Sequence, residues 1–299
     1  MNTHLGEIAA LVTAVSWTAA AIIMEQATHR SGVMAVNTLK VAFGTIYLAI
    51  LAVIMNAQIF PLDLSPHVWL LVGGSGLIGF VIGDYFLLHA YALIGARLGM
   101  LLLSISVPLT AVAAWLIFGE QLGSWAIAGI VATTFGIALT VMVGRNPGAV
   151  SGRSPGNYRK GVTFGILSAI AMAAATLLTK AGAQGIDSIS ATQVRILSAL
   201  IGFIVFAIFT RKTPEINQAL RNGKSMGLIA LGGIFGPFVG VGCLLFALQN
   251  AEAGIVSTLS SLTPVLIIAP SIFIFKKRVS IPEIIGACIA MGGVSLLFL

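Results

Sequence analysis

Residues 97–118 read RLGMLLLSISVPLTAVAAWLIF, and residues 253–275 read AGIVSTLSSLTPVLIIAPSIFIF. Each run is long enough to cross a bilayer, since roughly 20 helical residues span the hydrocarbon. Each carries hydroxyls and a proline near its middle: Ser104, Ser106 and Pro108 in the first, Ser260, Ser261, Thr263 and Pro264 in the second. The two prolines stand 156 residues apart. A proline inside a helix removes one backbone hydrogen bond and kinks the rod. In lipid the freed carbonyl must find a neighbour, a hydroxyl or water. Two kinked, hydroxyl-bearing spans at matching places in two halves point to a transporter's binding site.

Composition agrees. Of 299 residues, 58% are hydrophobic and 8% charged, with a mean hydropathy of +1.04. A soluble domain is nearer a quarter charged. The sequence therefore predicts an all-α polytopic membrane protein, and its net charge of +7 reads as membrane orientation. No nucleic-acid-binding motif is present, so no nucleic-acid partner is expected. Cys243 and Cys288 both fall in apolar runs and predict no disulfide framework. The amino terminus, MNTHLGEIAALV, lacks a basic segment before its apolar run, so the first run is expected to stay as a helix.

Ten spans are predicted, near 5–23, 33–55, 68–94, 98–118, 125–143, 161–180, 191–209, 226–248, 254–275 and 280–299. The stretch 145–160, rich in Gly, Pro, Ser and Arg, reads as a basic cytoplasmic linker. It divides the chain into a first five-helix repeat, 1–144, and a second, 161–299. Landmarks recur at a nearly constant offset. Gly6 matches Gly161 and Lys40 matches Arg195 at 155. Pro108 matches Pro264 at 156. Gly76, Gly79 and Gly83 match Gly233, Gly236 and Gly240 at 157, as Gly129 and Gly136 match Gly286 and Gly293. Five being odd, the halves enter the membrane with opposite polarity, an inverted repeat. Thirteen basic residues fall in the loops of one side, and at most Lys180 on the other. The positive-inside rule places the thirteen in the cytoplasm and both termini outside.

Five plus five spans, a proline-bearing fourth span and a GEQL turn at Gly119–Leu122 leading into a glycine-spaced fifth resemble the EamA-type branch of the drug/metabolite transporter superfamily. The resemblance covers essentially the whole chain. The second half departs from it with KKRVS at Lys276–Ser280. It implies export or exchange of small metabolites such as amino acids, and a cavity lined by spans 1, 3, 4, 6, 8 and 9.

The candidate cavity residues are Trp17, Lys40, Asp84, Tyr85, His89, Ser104, Ser106, Thr176, Arg195, Gln249, Ser260 and Thr263, with kinks at Pro108 and Pro264. Each has a plainer reading. The glycines let helices approach closely. Lys40 and Arg195 can snorkel to an interface or face the cavity and attract a carboxylate or phosphate. Asp84 can form a structural pair with Lys40 or Arg97, or act as an intramembrane proton relay with a coupling proton as partner. Tyr85 and His89, four apart, share a helical face without metal-ligand spacing, so no metal and no cofactor are expected. No nucleophile–base pair or phosphate loop occurs, so the chain is read as a non-enzyme. The expectation is a secondary transporter, monomer or homodimer, in the inner or plasma membrane, with a small polar metabolite as substrate. A nucleotide-sugar or lipid-linked sugar carrier, or a membrane-embedded enzyme, is the alternative.

Overall fold

The computed structural model describes residues 4–54, 60–61, 63–119, 121–143, 155–251, 253–273 and 279–297. Glu120, most of the linker (144–154) and the basic triplet 276–278 lie outside the described residues, as does the side chain of Gln249. The first repeat contributes α1 (Leu5–Ser31), α2 (Val33–Ile54), α3 (Pro66–Ile94), α4 (Ala96–Phe118) and α5 (Ser124–Val143). The second contributes α6 (Pro155–Gly182), α7 (Ser188–Phe209), a short α8 (Thr213–Arg221), α9 (223–250), α10 (253–273) and α11 (Ile281–Leu296). Among the described residues eight helices are long and apolar enough to cross a membrane, and two shorter apolar helices, Thr258–Phe273 and Ile281–Leu296, accompany them. The segment α6 begins six residues inside the predicted linker, with Pro155 in its first turn, where a missing N–H costs nothing.

Corners are tight. Gly32 (φ 79°) separates α1 from α2, and Gly95 (φ 86°) separates α3 from α4. Only glycine takes this left-handed conformation without a steric cost. Asp187 starts α7 as its N-cap, its side chain accepting from the Ser190 amide at 2.9 Å. Helix α1 runs eight residues past the predicted end. Its added turns carry Glu25, whose carboxylate accepts from the Ala96 amide at 2.8 Å and so caps the positive end of α4.

The halves interlock. The first helix of each half packs on the third and fourth of the other: α1 on α9 and α10, α6 on α3 and α4. The repeat mates α2 and α7 pack on each other, as do α5 and α11. The α5–α11 crossing is built from the matched glycines. A β-carbon placed on Gly129 would stand 2.6 Å from the Gly293 carbonyl oxygen, and one on Gly136 would stand 2.5 Å from that of Gly286. The helices run antiparallel, and each glycine faces the mate of the other, which is the self-complementary pattern of a two-fold contact. Thr133 bridges it, donating to the Ala290 carbonyl at 3.2 Å. The other glycine sets also serve close approach: Gly76 against the Arg195 backbone, Gly79 against Ala175, Gly240 against the Trp17 indole.

Both α4 and α10 are interrupted where the prolines require it. A proline clashes with, and leaves unbonded, the carbonyl four residues earlier. For Pro108 that is Ser104, and for Pro264 it is Ser260. The first helical half ends at Leu103 and the next begins at Ser106, with 3₁₀ bonds from Ile105 to Leu102 and from Val107 to Ser104 tightening the gap. In α10 the break spans Ser261–Leu262, and the Ser260 carbonyl accepts the Thr263 hydroxyl at 3.0 Å. A second interruption at Ile267 follows from Pro270.

The third helix of each half widens into π turns, Leu77–Asp84 in α3 and Ile234–Gly240 in α9. Around Pro237, α1 supplies hydroxyls to the loosened backbone. Ser16 donates to the Phe235 carbonyl at 2.7 Å, and Thr13 to that of Gly240 at 3.3 Å. Non-ideal backbone within a membrane survives only with such partners.

Candidate functional site

The two interruptions face one another across a cavity of about 320 Å³. Its polar wall is Ser104, Ser106, Ser260, Ser261 and Thr263, with the Trp17 indole. Its apolar wall is Met100, Leu103, Val107, Pro264 and Val294. Trp17 lies 12 residues from one end of α1 and 14 from the other, roughly 18 and 21 Å at 1.5 Å per residue, so the cavity meets α1 near its middle. Most of these hydroxyls bond to their own helix: Ser104 to the Met100 carbonyl at 3.2 Å, Ser261 to that of Thr258 at 2.8 Å. The Ser260 hydroxyl is buried without a partner among the described residues. No charged side chain is among the described lining residues.

The charged candidates gather elsewhere. Lys40 Nζ donates to Asp84 Oδ2 at 2.6 Å, both largely buried, where α2 meets α3. Of the two partners open to Asp84 in the sequence, Lys40 takes it. The Arg195 guanidinium lies over the Phe80 ring, 5.4 Å from its centre, and packs beside Gly79. Arg97 bonds instead to Glu283 at 2.5 Å. Glu283 is 1% exposed at the start of α11. This pair and Glu25 join the start of α4 to α11 and to α1. The Arg97–Glu283 pair lines a narrow gap with Leu101, Pro264 and Ile268, and Pro264 also lines the cavity.

Tyr85 and His89 do not line the cavity. His89 Nδ1 lies 2.8 Å from the Tyr85 carbonyl oxygen, and the two rings meet tilted, centres 4.4 Å apart, within an aromatic cluster that includes Phe164 and Phe206. Thr176 is exposed and bonds to the Met172 carbonyl. Among the described residues no three His, Cys, Asp or Glu converge as metal ligands would. The sequence reading missed Glu283, Glu25 and Ser261's place on the cavity wall. Ser261 belongs to the quoted stretch, whereas both glutamates sit near helix ends and pass for interfacial groups.

The EamA-like transporter family profile matches residues 4–142 and again 159–299. No curated protein matches the chain. Among solved structures 24 chains match. One, described only as a crystal structure of a protein, superposes with a TM-score of 0.66 over 98% of this chain and 96% of its own, at 16% identity. That likeness shows a shared fold. Two matches to one profile, covering nearly the whole chain, place it in the EamA-like transporter family of the drug/metabolite transporter superfamily.

Proposed function

We propose that this transporter moves a small polar, net-neutral metabolite of amino-acid size by alternating access, without a nucleotide-hydrolysing domain. The carrying observation is the neutral cavity between the two proline interruptions, which hydroxyls and the Trp17 indole help to line. Its volume lies at the lower end of small-molecule sites, roughly 300–1,000 Å³. The hydroxyls beside each interruption can both donate and accept, which suits a neutral or zwitterionic solute. A nucleotide sugar needs cations for its phosphates, and no cation is among the described lining residues.

In this reading ten crossings form two inverted five-helix repeats in the inner or plasma membrane. The basic loops face the cytoplasm and both termini face outward, as the thirteen-to-one distribution of basic residues supports. The test is counterflow in proteoliposomes against amino acids, sugars and organic cations, with Trp17→Ala as the cavity variant. Exchange of a neutral or zwitterionic solute that Trp17→Ala weakens is expected. Exchange confined to phosphorylated or permanently cationic solutes would reject the reading.

A further inference from the structure

Lys40 and Arg195 are repeat mates on α2 and α7, helices that pack on one another. The mate of Asp84, at the offset of 157 that relates its glycine neighbours, is Val241, so the second half brings no carboxylate to the corresponding place. Asp84 is bonded to Lys40 at 2.6 Å. The Arg195 guanidinium covers Phe80, one turn before Asp84 on the same face of α3, and its Nε is buried with no acceptor among the described residues. Two cations thus stand near one carboxylate, and of the two only Lys40 is bonded to it among the described residues. An unpaired buried charge is far costlier than a paired one. Two neutral groups repeat the pattern. Asn37 and Gln193, mates at an offset of 156, are both buried with neither amide atom bonded among the described residues.

We propose that Asp84 is the shared counter-ion of the two repeat-related cations, paired with Lys40 in this state and with Arg195 in the oppositely open one. In an inverted repeat, the arrangement one half holds in one state is taken by the other half in the next. Arg195 then needs what Lys40 now has, and Asp84 is the acceptor one turn away. Each pairing leaves the other cation without its bond to the carboxylate, so the partner of Asp84 marks the state. It ties α2, α3 and α7 to the state of the cavity. The proposal rests on the alternating-access reading above.

The test uses Ser261→Cys as a cavity reporter, with Cys243 and Cys288 replaced by Ala, in oriented vesicles labelled by an impermeant maleimide from either side. Labelling of the otherwise unmodified protein from both sides establishes alternating access. Removing one cation should then bias the state toward the other pairing. Lys40→Gln and Arg195→Gln are expected to move the two-sided labelling ratio in opposite directions, each by about tenfold. Adding Asp84→Asn to either should bring the two ratios together. The charge-conserving Lys40→Arg and Arg195→Lys should stay near the starting ratio, and with Arg195→Gln they give a result even if Lys40→Gln does not fold. An unchanged ratio in Arg195→Gln overturns the proposal. So does a raised substrate KM in that variant without a change of ratio, which would make Arg195 a ligand group. Labelling from one side only in every variant removes the alternating-access reading and the switch together.

Discussion

Adjacent glycines on α11 should respond to the same substitution with opposite sign. A β-carbon on Gly293 would stand 2.5 Å from the Thr133 hydroxyl and 2.7 Å from the Gly129 carbonyl oxygen, besides meeting the Thr133 amide. Ordinary contact begins near ~3.4 Å, so the helices must part by about 1 Å. Backbone atoms have no rotamer with which to yield, and overpacking of this kind costs about 1–3 kcal/mol. At Gly292 nothing lies within 4 Å of the added carbon. There the change removes only the entropy cost of glycine in a helix and should stabilise by about 0.5–1 kcal/mol. The gap between Gly293→Ala and Gly292→Ala is therefore about 1.5–4 kcal/mol, which is ~10-fold or more in the folded-to-unfolded ratio. The assay is reversible SDS titration in mixed micelles, read by tryptophan fluorescence. If Gly293→Ala unfolds within ~0.5 kcal/mol of Gly292→Ala, the backbone-to-backbone crossing of α5 and α11 is wrong.

Four further outcomes are expected. Pro264→Ala restores an N–H facing the Ser260 carbonyl, so it should straighten α10 and slow exchange while leaving stability equal or higher; equal loss of folded protein and exchange would assign the proline to packing. Gly240→Ala drives its β-carbon into the Trp17 Nε1 and to 2.6 Å from Cδ1, and should change substrate KM more than the maximal rate, whereas unchanged kinetics would separate Trp17 from the binding site. Asp187 lies in the loop before α7. Burial raises its pKa, but hydrogen bonds from Ser190 and the Ile189 backbone outweigh this and hold it below its usual 3.8. Its contribution is therefore present above that value and lost as pH falls through the folded-state pKa. Asp187→Ala should cost about 0.5–2 kcal/mol at neutral pH and flatten that acid limb; an unaltered pH profile would count against the cap. Reporter fusions after residues 150 and 218 should read cytoplasmic and those at both termini external, and a cytoplasmic carboxy terminus would reverse the assigned orientation.

Much of this fold was legible because lipid leaves the backbone few choices. An apolar run of bilayer length must be a helix, and a matched proline must break it four residues upstream. Hence the stretches at 97–118 and 253–275 carried both the architecture and most of the cavity wall. The ion pairs were legible only as alternatives. Lys40 and Arg97 both lie within a plausible reach of Asp84 along the chain, and the choice between them depends on how α2 rotates against α3. Glu283 was hidden because a carboxylate two residues into a helix normally meets water, and it takes the packing of α11 on α5 and the Arg97 bond to bury it. The short α8 is too polar and brief to register as a span. Tyr85 and His89 share a face as expected, but Phe164 and Phe206, remote in sequence, claim that face for aromatic packing.

The crossing of Gly129 and Gly136 with Gly293 and Gly286 carries the arithmetic of a homodimer inside one chain. In a dimer of identical five-helix units, Gly129 and Gly286 would be a single position, and any substitution there would strike the contact twice. In the tandem chain it strikes once, so the two copies are free to diverge while the shared seam is kept. That independence is what permits an acid at position 84 with valine at 241, an asymmetry no pair of identical subunits could hold. Symmetry at the rim and asymmetry near the centre are thus two sides of one economy: the seam keeps the halves in register, and the divergence gives their exchange a carrier.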